Sequence, residues 1–330
     1  MRLPEFEYVE PKTLREATKL LSSGPKGSVL LAGGTDLLVS MKHQLLRPRR
    51  VVNLKAVPGL AYIANQNGGL KIGSLTSLHD LVSSRIVRKR YPALSYAAAQ
   101  VGAYALQAMG TLGGNLCQGN RCRFYNQSSV WRGVRPPCFK TGGNICHVVP
   151  VRKTNGRTSG SCHSTYCGDL APVLISLGSQ MRLVGPNGGR SLPLKKLFTQ
   201  SGKKSLSLKP GEILEEVLVP PPSGKTVYLK WRLRDALEFP LIGLALHLET
   251  GTGGKIQQAK VIFTGVGPGP VETLETEKML MGGLLDAGLI EKVSSHVGNE
   301  LSPMRTSMVS PAYKRQMAGI LLKQALDQMC

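Results

Sequence analysis

Ser28-Val29-Leu30-Leu31-Ala32-Gly33-Gly34-Thr35-Asp36-Leu37-Leu38 passes from an apolar run, through paired glycines, into helical spacing. The run predicts a buried strand, the glycines a tight turn, and Leu37, Leu38 and Met41 the start of a helix. This layout presents backbone N–H groups and a helix N-terminus to a phosphate. Glycine lets the main chain approach a diphosphate with no Cβ in the way, and the Thr35 hydroxyl can add a hydrogen bond. A lone pair of glycines is more often the mark of an ordinary strand-to-helix turn. The spacing is not G-x-G-x-x-G, so the dinucleotide fold built on that fingerprint is not indicated.

Working outward, residues 11–21 place Leu14, Ala17, Leu20 and Leu21 on one helical face behind Pro11. Val51-Val52-Asn53-Leu54 reads as a second buried strand, so that a small β-α-β-like unit closes by about residue 56. A second segment, 57–222, begins with the strand Leu70–Leu75 and a helical stretch from His79 to Arg90. Small residues follow from Ala93 to Ala108, then the glycine turn Thr111-Leu112-Gly113-Gly114-Asn115. Helix-forming Gly168–Leu174 and the strand Met181–Val184 complete that segment, and Pro220-Pro221-Pro222 punctuates its end. Residues 223–330 read as a separate α+β domain, with strands at 227–231, 241–248 and 259–263. A closing helix at 312–329 is expected to turn Met317, Ile320, Leu321 and Ala325 inward.

The acidic, proline-bearing N-terminus lacks the basic start and apolar run of a signal peptide, and no later segment is apolar enough to span a bilayer. A cytoplasmic protein is expected. There, seven cysteines point to metal ligands or buried thiols and not to disulfides, since an odd count cannot fully pair. Forty-two basic against twenty acidic side chains give a formal charge of +22, which invites an anionic ligand, an acidic protein or nucleic acid. The excess is uneven. No acid falls between Asp80 and Asp169, while Arg85, Arg88, Lys89, Arg90, Arg121, Arg123, Arg132, Arg135, Lys140, Arg152, Lys153 and Arg157 do. Nucleic acid is the weaker partner, because recognisable binding motifs are missing and aromatics make up only 5% of the chain.

Between Cys117 and Cys167 the chain turns rich in Cys, Arg, Gly, Asn and Pro and poor in apolar residues, so an oily core cannot order it. Cys122, Cys138, Cys146 and Cys162 lie 16, 8 and 16 residues apart within it. Four thiolates on one centre would supply the missing ordering energy. Their spread spacing is unlike the tight pairs of a zinc ribbon and suits a 4Fe-4S cluster reached from separate loops. Cys117 and Cys330 read as plain thiols, and His147 and His163 as polar neighbours rather than ligands.

The two glycine segments, followed by Gly168-Asp169-Leu170-Ala171-Pro172-Val173-Leu174, resemble in order the FAD-binding pattern of the medium subunits of xanthine dehydrogenase and carbon monoxide dehydrogenase. The likeness continues through Trp231-Arg232, Phe239-Pro240-Leu241-Ile242-Gly243 and Gly265–Val271 to the helix bearing Glu277, and so covers nearly the whole chain. It implies an α+β protein: a two-subdomain FAD-binding fold of the vanillyl-alcohol-oxidase and molybdenum-hydroxylase (PCMH) type, then a C-terminal flavoprotein domain. By this resemblance Val29, Leu30, Leu31, Ala32, Gly33, Gly34, Thr35 and Asp36 would wrap the FAD diphosphate. Thr111, Leu112, Gly113, Gly114 and Asn115 would lie along the flavin, Asp169 would accept from a ribose hydroxyl, and Arg123 and Lys230 would add contacts. Asp169 could also be a helix N-cap, and Lys230 an exposed strand lysine.

The cysteine-rich stretch resembles the insert in the flavin subunit of 4-hydroxybenzoyl-CoA reductase, where a 4Fe-4S cluster is bound. That implies Cys122, Cys138, Cys146 and Cys162 as ligands, with Cys167 competing for the fourth place. The resemblance further implies an electron relay with no catalytic side chain of its own, working with a large molybdenum-cofactor subunit and a small 2Fe-2S subunit in a dimer of heterotrimers. The expected reaction is reductive dehydroxylation of an aromatic acyl-CoA, fed by a ferredoxin-like donor. The alternative is an oxidative hydroxylase acting on purines, N-heterocycles or carbon monoxide.

Overall fold

Three sheets organise the described residues, which are 2–25, 27–149 and 160–330 of this computed structural model. Arg152, Lys153 and Arg157 of the acid-free window lie outside them. In the first sheet, β1 (Glu7–Val9), β2 (Ser28–Leu31) and β3 (Arg50–Asn53) run parallel in the order β1-β3-β2. Helices α1 (Leu14–Ser23) and α2 (Leu37–Lys42) make the crossovers that parallel pairing requires. Thr13, not Pro11, opens α1, because its hydroxyl accepts from the Glu16 N–H and satisfies an amide of the first turn. Ala17 then packs with Val52, Leu54 and Ile213.

The second sheet is antiparallel, in the order β4-β5-β8-β6-β7, with β4 (Ile63–Gln66), β5 (Gly69–Gly73), β6 (Gln180–Gly185), β7 (Gly188–Pro193) and β8 (Ile213–Val219). The single helical stretch expected from His79 to Arg90 is two helices, α3 (Leu78–Ser83) and α4 (Arg85–Arg90). Ser84 between them is extended, and a serine pair offers the backbone alternatives to helix. The small residues form α5 (Pro92–Ala99) and α6 (Tyr104–Met109). The second glycine segment is not a free turn but the start of α7 (Leu112–Leu116), where the Thr111 hydroxyl accepts from the Gly114 N–H. The cysteine-rich stretch contains the short α8 (Ser129–Gly133), and α9 (Leu170–Ser176) returns the chain to the core.

The third sheet is antiparallel, β12-β11-β10-β9, built from β9 (Lys225–Trp231), β10 (Ile242–Thr250), β11 (Ile256–Thr264) and β12 (Val271–Glu272). Alternate β10 residues Ile242, Leu244, Leu246 and Leu248 face a core shared with α11 (Ala287–His296) and α12 (Pro311–Asp327), with α10 (Leu274–Leu280) beside it. Tyr228, Ala245 and Ile262 point the other way, into the core of the second sheet and its helices. Both faces of β10 are covered, which explains its unbroken apolar run. Met317, Leu321 and Ala325 are buried as expected, but Ile320 is 41% exposed. It falls off the i, i+4, i+8 stripe that the other three share.

Candidate functional site

A cavity of roughly 550 Å³ opens where β2, α2, α7 and β8 converge, within the size range of small-molecule sites. Both glycine segments line it, and they touch each other there. A Cβ on Gly33 would collide with the Met109 carbonyl oxygen and stand 2.9 Å from Gly110 Cα; one on Gly113 would stand 2.8 Å from Ser74 Cβ. At these positions glycine serves the close crossing of chain segments, a reason additional to the diphosphate clearance expected from the sequence. Gly34 needs glycine for its backbone, with φ at +75°.

Three residues of the walls carry buried polar atoms that have no partner among the described residues. Ser74 Oγ, Asn120 Oδ1 and Arg121 Nε are buried and make no hydrogen bond among the described residues, and all three residues line the cavity. Buried polar groups are normally paired, so these atoms suit a ligand rich in hydroxyl and phosphoryl groups, as an adenine dinucleotide is. Arg121 also pairs with Asp36 and lies 4.4 Å from the Phe239 ring centroid, joining the first glycine segment to the loop between β9 and β10.

Asp169 lines the cavity from the start of α9. It makes no capping bond of its own. Its carboxylate accepts from the Tyr228 hydroxyl at 2.7 Å and pairs with Lys230 Nζ at 3.1 Å, while Lys230 also donates to the Gln100 carbonyl at 2.7 Å. Burial pushes the Asp169 carboxyl up and the Lys230 ammonium down, and their mutual attraction opposes both shifts.

A second, small cavity lies beside the first, and Cys122, Cys138, Cys146 and Cys162 all line it, with Phe124, Phe139, Ile145 and Val148 as its apolar walls. Two backbone clasps assemble it. Arg121 and Thr165 exchange hydrogen bonds of 2.7 and 2.9 Å, bringing the chain at Cys122 beside that at Cys162, and the Phe139 N–H donates to the Ile145 carbonyl at 3.0 Å. Asn126 Oδ1 accepts from the Cys122 N–H and fixes that turn. Among the described residues no three His, Cys, Asp or Glu side chains approach closely enough to hold one metal ion. A cluster whose corner irons each take one thiolate asks for a wider set. Cys167, the rival fourth ligand, is buried elsewhere, its thiol directed to the Thr165 carbonyl and pushed up by burial. Burial likewise raises Cys122, and it pushes Cys117, on the wall of the large cavity, up to about 12. His147 lines the small cavity with Nε2 2.9 Å from the Pro136 carbonyl.

The large cavity thus gathers Val29, Leu30, Ala32, Gly33, Gly34, Thr35, Asp36, Thr111, Gly113, Gly114, Asn115 and Asp169. Leu31 and Leu112 are not on its wall, and Leu112 is fully buried in the core. Lys230 stands behind Asp169, and it is buried rather than an exposed strand residue. Arg123 is outside the cavity: its guanidinium lies 5.4 Å from the Phe124 ring centroid and its N–H donates to Thr306. Sequence reading missed Ser74, Asn120, Arg121, Tyr125, Lys140 and Leu237: Asn120, Arg121 and Tyr125 share the irregular stretch between α7 and α8, the others come from separate segments, and none carries a local pattern that marks it.

Residues 4–222 match the family described as "FAD binding domain in molybdopterin dehydrogenase", and residues 228–329 match "CO dehydrogenase flavoprotein C-terminal domain". The chain is 26% identical over 327 residues to the glyceraldehyde dehydrogenase medium chain of Sulfolobus acidocaldarius, covering 99% of each. It is 30% identical over 261 residues to the aldehyde oxidoreductase FAD-binding subunit of Escherichia coli, covering 76% of this chain and 80% of that one. A chain of the carbon monoxide dehydrogenase from Hydrogenophaga pseudoflava superposes with a TM-score of 0.81 over the full length of both, at 24% identity. The α+β architecture, an FAD-binding part followed by a C-terminal flavoprotein domain, is that of this chain.

Proposed function

The chain belongs to the family of FAD-binding medium subunits of molybdenum-containing dehydrogenases, and from that premise we propose that it is the electron-relaying subunit of an oxidative member. In this reading residues 1–56 and 57–222 hold the dinucleotide between them, and 223–330 close the site through Phe239 and the Lys230–Asp169 pair. The observation that carries it is the cavity walled by both glycine segments, with Ser74, Asn120 and Arg121 offering unpartnered polar atoms. The backbone amides of Gly33 to Asp36 and the Thr35 hydroxyl would orient the diphosphate. Asp169, held by Lys230 and Tyr228, would orient a ribose hydroxyl. A bound flavin would supply two-electron exchange with a substrate or carrier and one-electron exchange with iron-sulfur centres. A large molybdenum-cofactor subunit and a small 2Fe-2S subunit are the partners this reading requires.

Names of the relatives, dehydrogenases and an aldehyde oxidoreductase, favour the oxidative direction over the reductive dehydroxylation that the cysteine-rich stretch suggested. One observation speaks for retaining iron on this subunit: four thiols line a single cavity. We assign them to a 4Fe-4S cluster. The open space between them is small, about 20 Å³, so loading requires the loops to spread, as coupled metal binding and folding allows. Arg132 and Arg135 beside Tyr125, Phe124 and Trp131 would suit an acidic one-electron carrier there.

Anaerobic purification of the full chain, with flavin, iron and sulfide assays and a visible spectrum, tests both parts. One FAD and about four irons per chain are expected. Protein without flavin overturns the relay; flavin without iron and sulfide overturns the cluster alone.

A further inference from the structure

Two side chains belong to both cavities. Among the described residues, Tyr125 and Lys140 alone line the large cavity and the small one, and so form the partition between them. Lys140 Nζ lies 4.9 Å from the Tyr125 ring centroid, and the Arg132 guanidinium lies 5.9 Å from the same ring. Aromatic faces attract such cations. The ammonium donates to the Asn120 carbonyl at 3.4 Å, while the acids on the wall of the large cavity, Asp36, Asp169, Glu212 and Glu238, are paired with Arg121, Lys230, Arg190 and Arg234. A cation drawn out of water needs an anion near it.

The proposed cluster would be that anion. Four thiolates make a cluster negative, and net charge is one of the levers that set its potential. The large cavity, the proposed flavin site, lies on the other side of the partition, and charge near a flavin tunes it in the same way. Resting on the assignment of the four cysteines as cluster ligands, we infer that Lys140 is a positioning residue whose fixed charge raises the potential of the cluster and couples it to the flavin. An electron arriving from the flavin side would leave the flavin one electron poorer and make the cluster one unit more negative, a charge that the Lys140 ammonium would offset. No bond forms or breaks, no proton moves, and the ammonium keeps its charge. Lys140 and Tyr125 are only partly exposed, so that charge is screened less than at an open surface. Tyr125 holds the ammonium on the partition.

The test is a redox titration of the anaerobically purified full chain, with the cluster followed by electron paramagnetic resonance, the flavin by visible absorbance, and iron and flavin content measured alongside. Lys140→Gln is expected to lower the reduced-to-oxidised ratio of the cluster at fixed ambient potential about tenfold, roughly 59 mV for a one-electron couple. The flavin ratio moves the same way by a smaller factor. Lys140→Arg keeps the charge and restores the cluster ratio to within about threefold. Should Lys140→Gln fail to retain iron, Tyr125→Leu carries the test, with an expected threefold loss that Tyr125→Phe does not show. A fully loaded Lys140→Gln protein whose cluster ratio changes less than twofold overturns the inference and leaves the cluster assignment standing, as does an unchanged ratio in Tyr125→Leu where that variant carries the test. Wild-type protein without iron and sulfide overturns both.

Discussion

Lys230 Nζ stands 3.1 Å from Asp169 Oδ1, joining β9 of the third sheet to the start of α9 on the cavity wall, with side chains 1% and 3% exposed. Two charges removed from water hold each other in place, and losing either partner strands the other. Lys230→Met is expected to cost about 3–5 kcal/mol. Combining it with Asp169→Asn should cost less than the two single changes summed, because no lone charge remains. Urea unfolding of the four proteins measures this; strict additivity would mean that the pair does not interact.

Gly33→Ala is expected to abolish flavin retention and to lower stability by about 1–3 kcal/mol, since the new methyl meets the Met109 carbonyl where the two glycine segments cross. Gly133→Ala in α8, where a Cβ meets nothing within 4 Å, should leave flavin content unchanged and add up to about 1 kcal/mol. Flavin-to-protein ratios and thermal melts distinguish the two. Equal flavin content in both variants would remove the crossing from the account of the site.

Serine at Cys122, Cys138, Cys146 or Cys162 should each strip iron and bleach the broad visible absorbance while flavin stays. Serine at Cys167 or Cys330 should leave iron untouched, because Cys167 points to the Thr165 carbonyl and Cys330 is exposed. Iron retained in Cys162→Ser but lost in Cys167→Ser would transfer the fourth ligand.

The Glu212 carboxyl is held below the usual carboxylate range by hydrogen bonds from Arg190 at 2.8 and 2.9 Å. A lowered folded-state value contributes stability that is present above the unfolded glutamate range, near about 4.3, and is lost as pH falls through the folded value. Arg190 is partly exposed, so the pair is worth no more than about 1 kcal/mol. Arg190→Gln should therefore destabilise by that amount near neutrality and progressively less as pH falls through the lowered folded-state value of Glu212. A difference that persists unchanged in acid would assign the effect to packing.

Much of the fold was legible because its elements obey local rules. The Ser28–Leu31 strand, the glycine pair and the α2 start follow from apolar run, turn residue and helical spacing, and the covered β10 announced itself by eight apolar-rich residues in succession. Short edge strands did not: β1, β4 and β12 pair through backbone atoms that any sequence possesses. Ser84 broke one expected helix, and Ile320 escaped the buried face by one position of helical phase.

By itself the sequence showed two glycine segments placed beside helices and a cysteine-bearing stretch too poor in apolar residues to form an oily core of its own. Only tertiary structure decided that Arg121 and not Arg123 meets the cavity, that Cys162 and not Cys167 joins the other thiols, and that Asp169 is held by Lys230. In irregular chain, neighbours one or two positions apart point in unrelated directions, and periodicity carries no information about which one turns inward. The Arg121–Thr165 clasp makes that choice, through hydrogen bonds between segments more than forty residues apart in the chain.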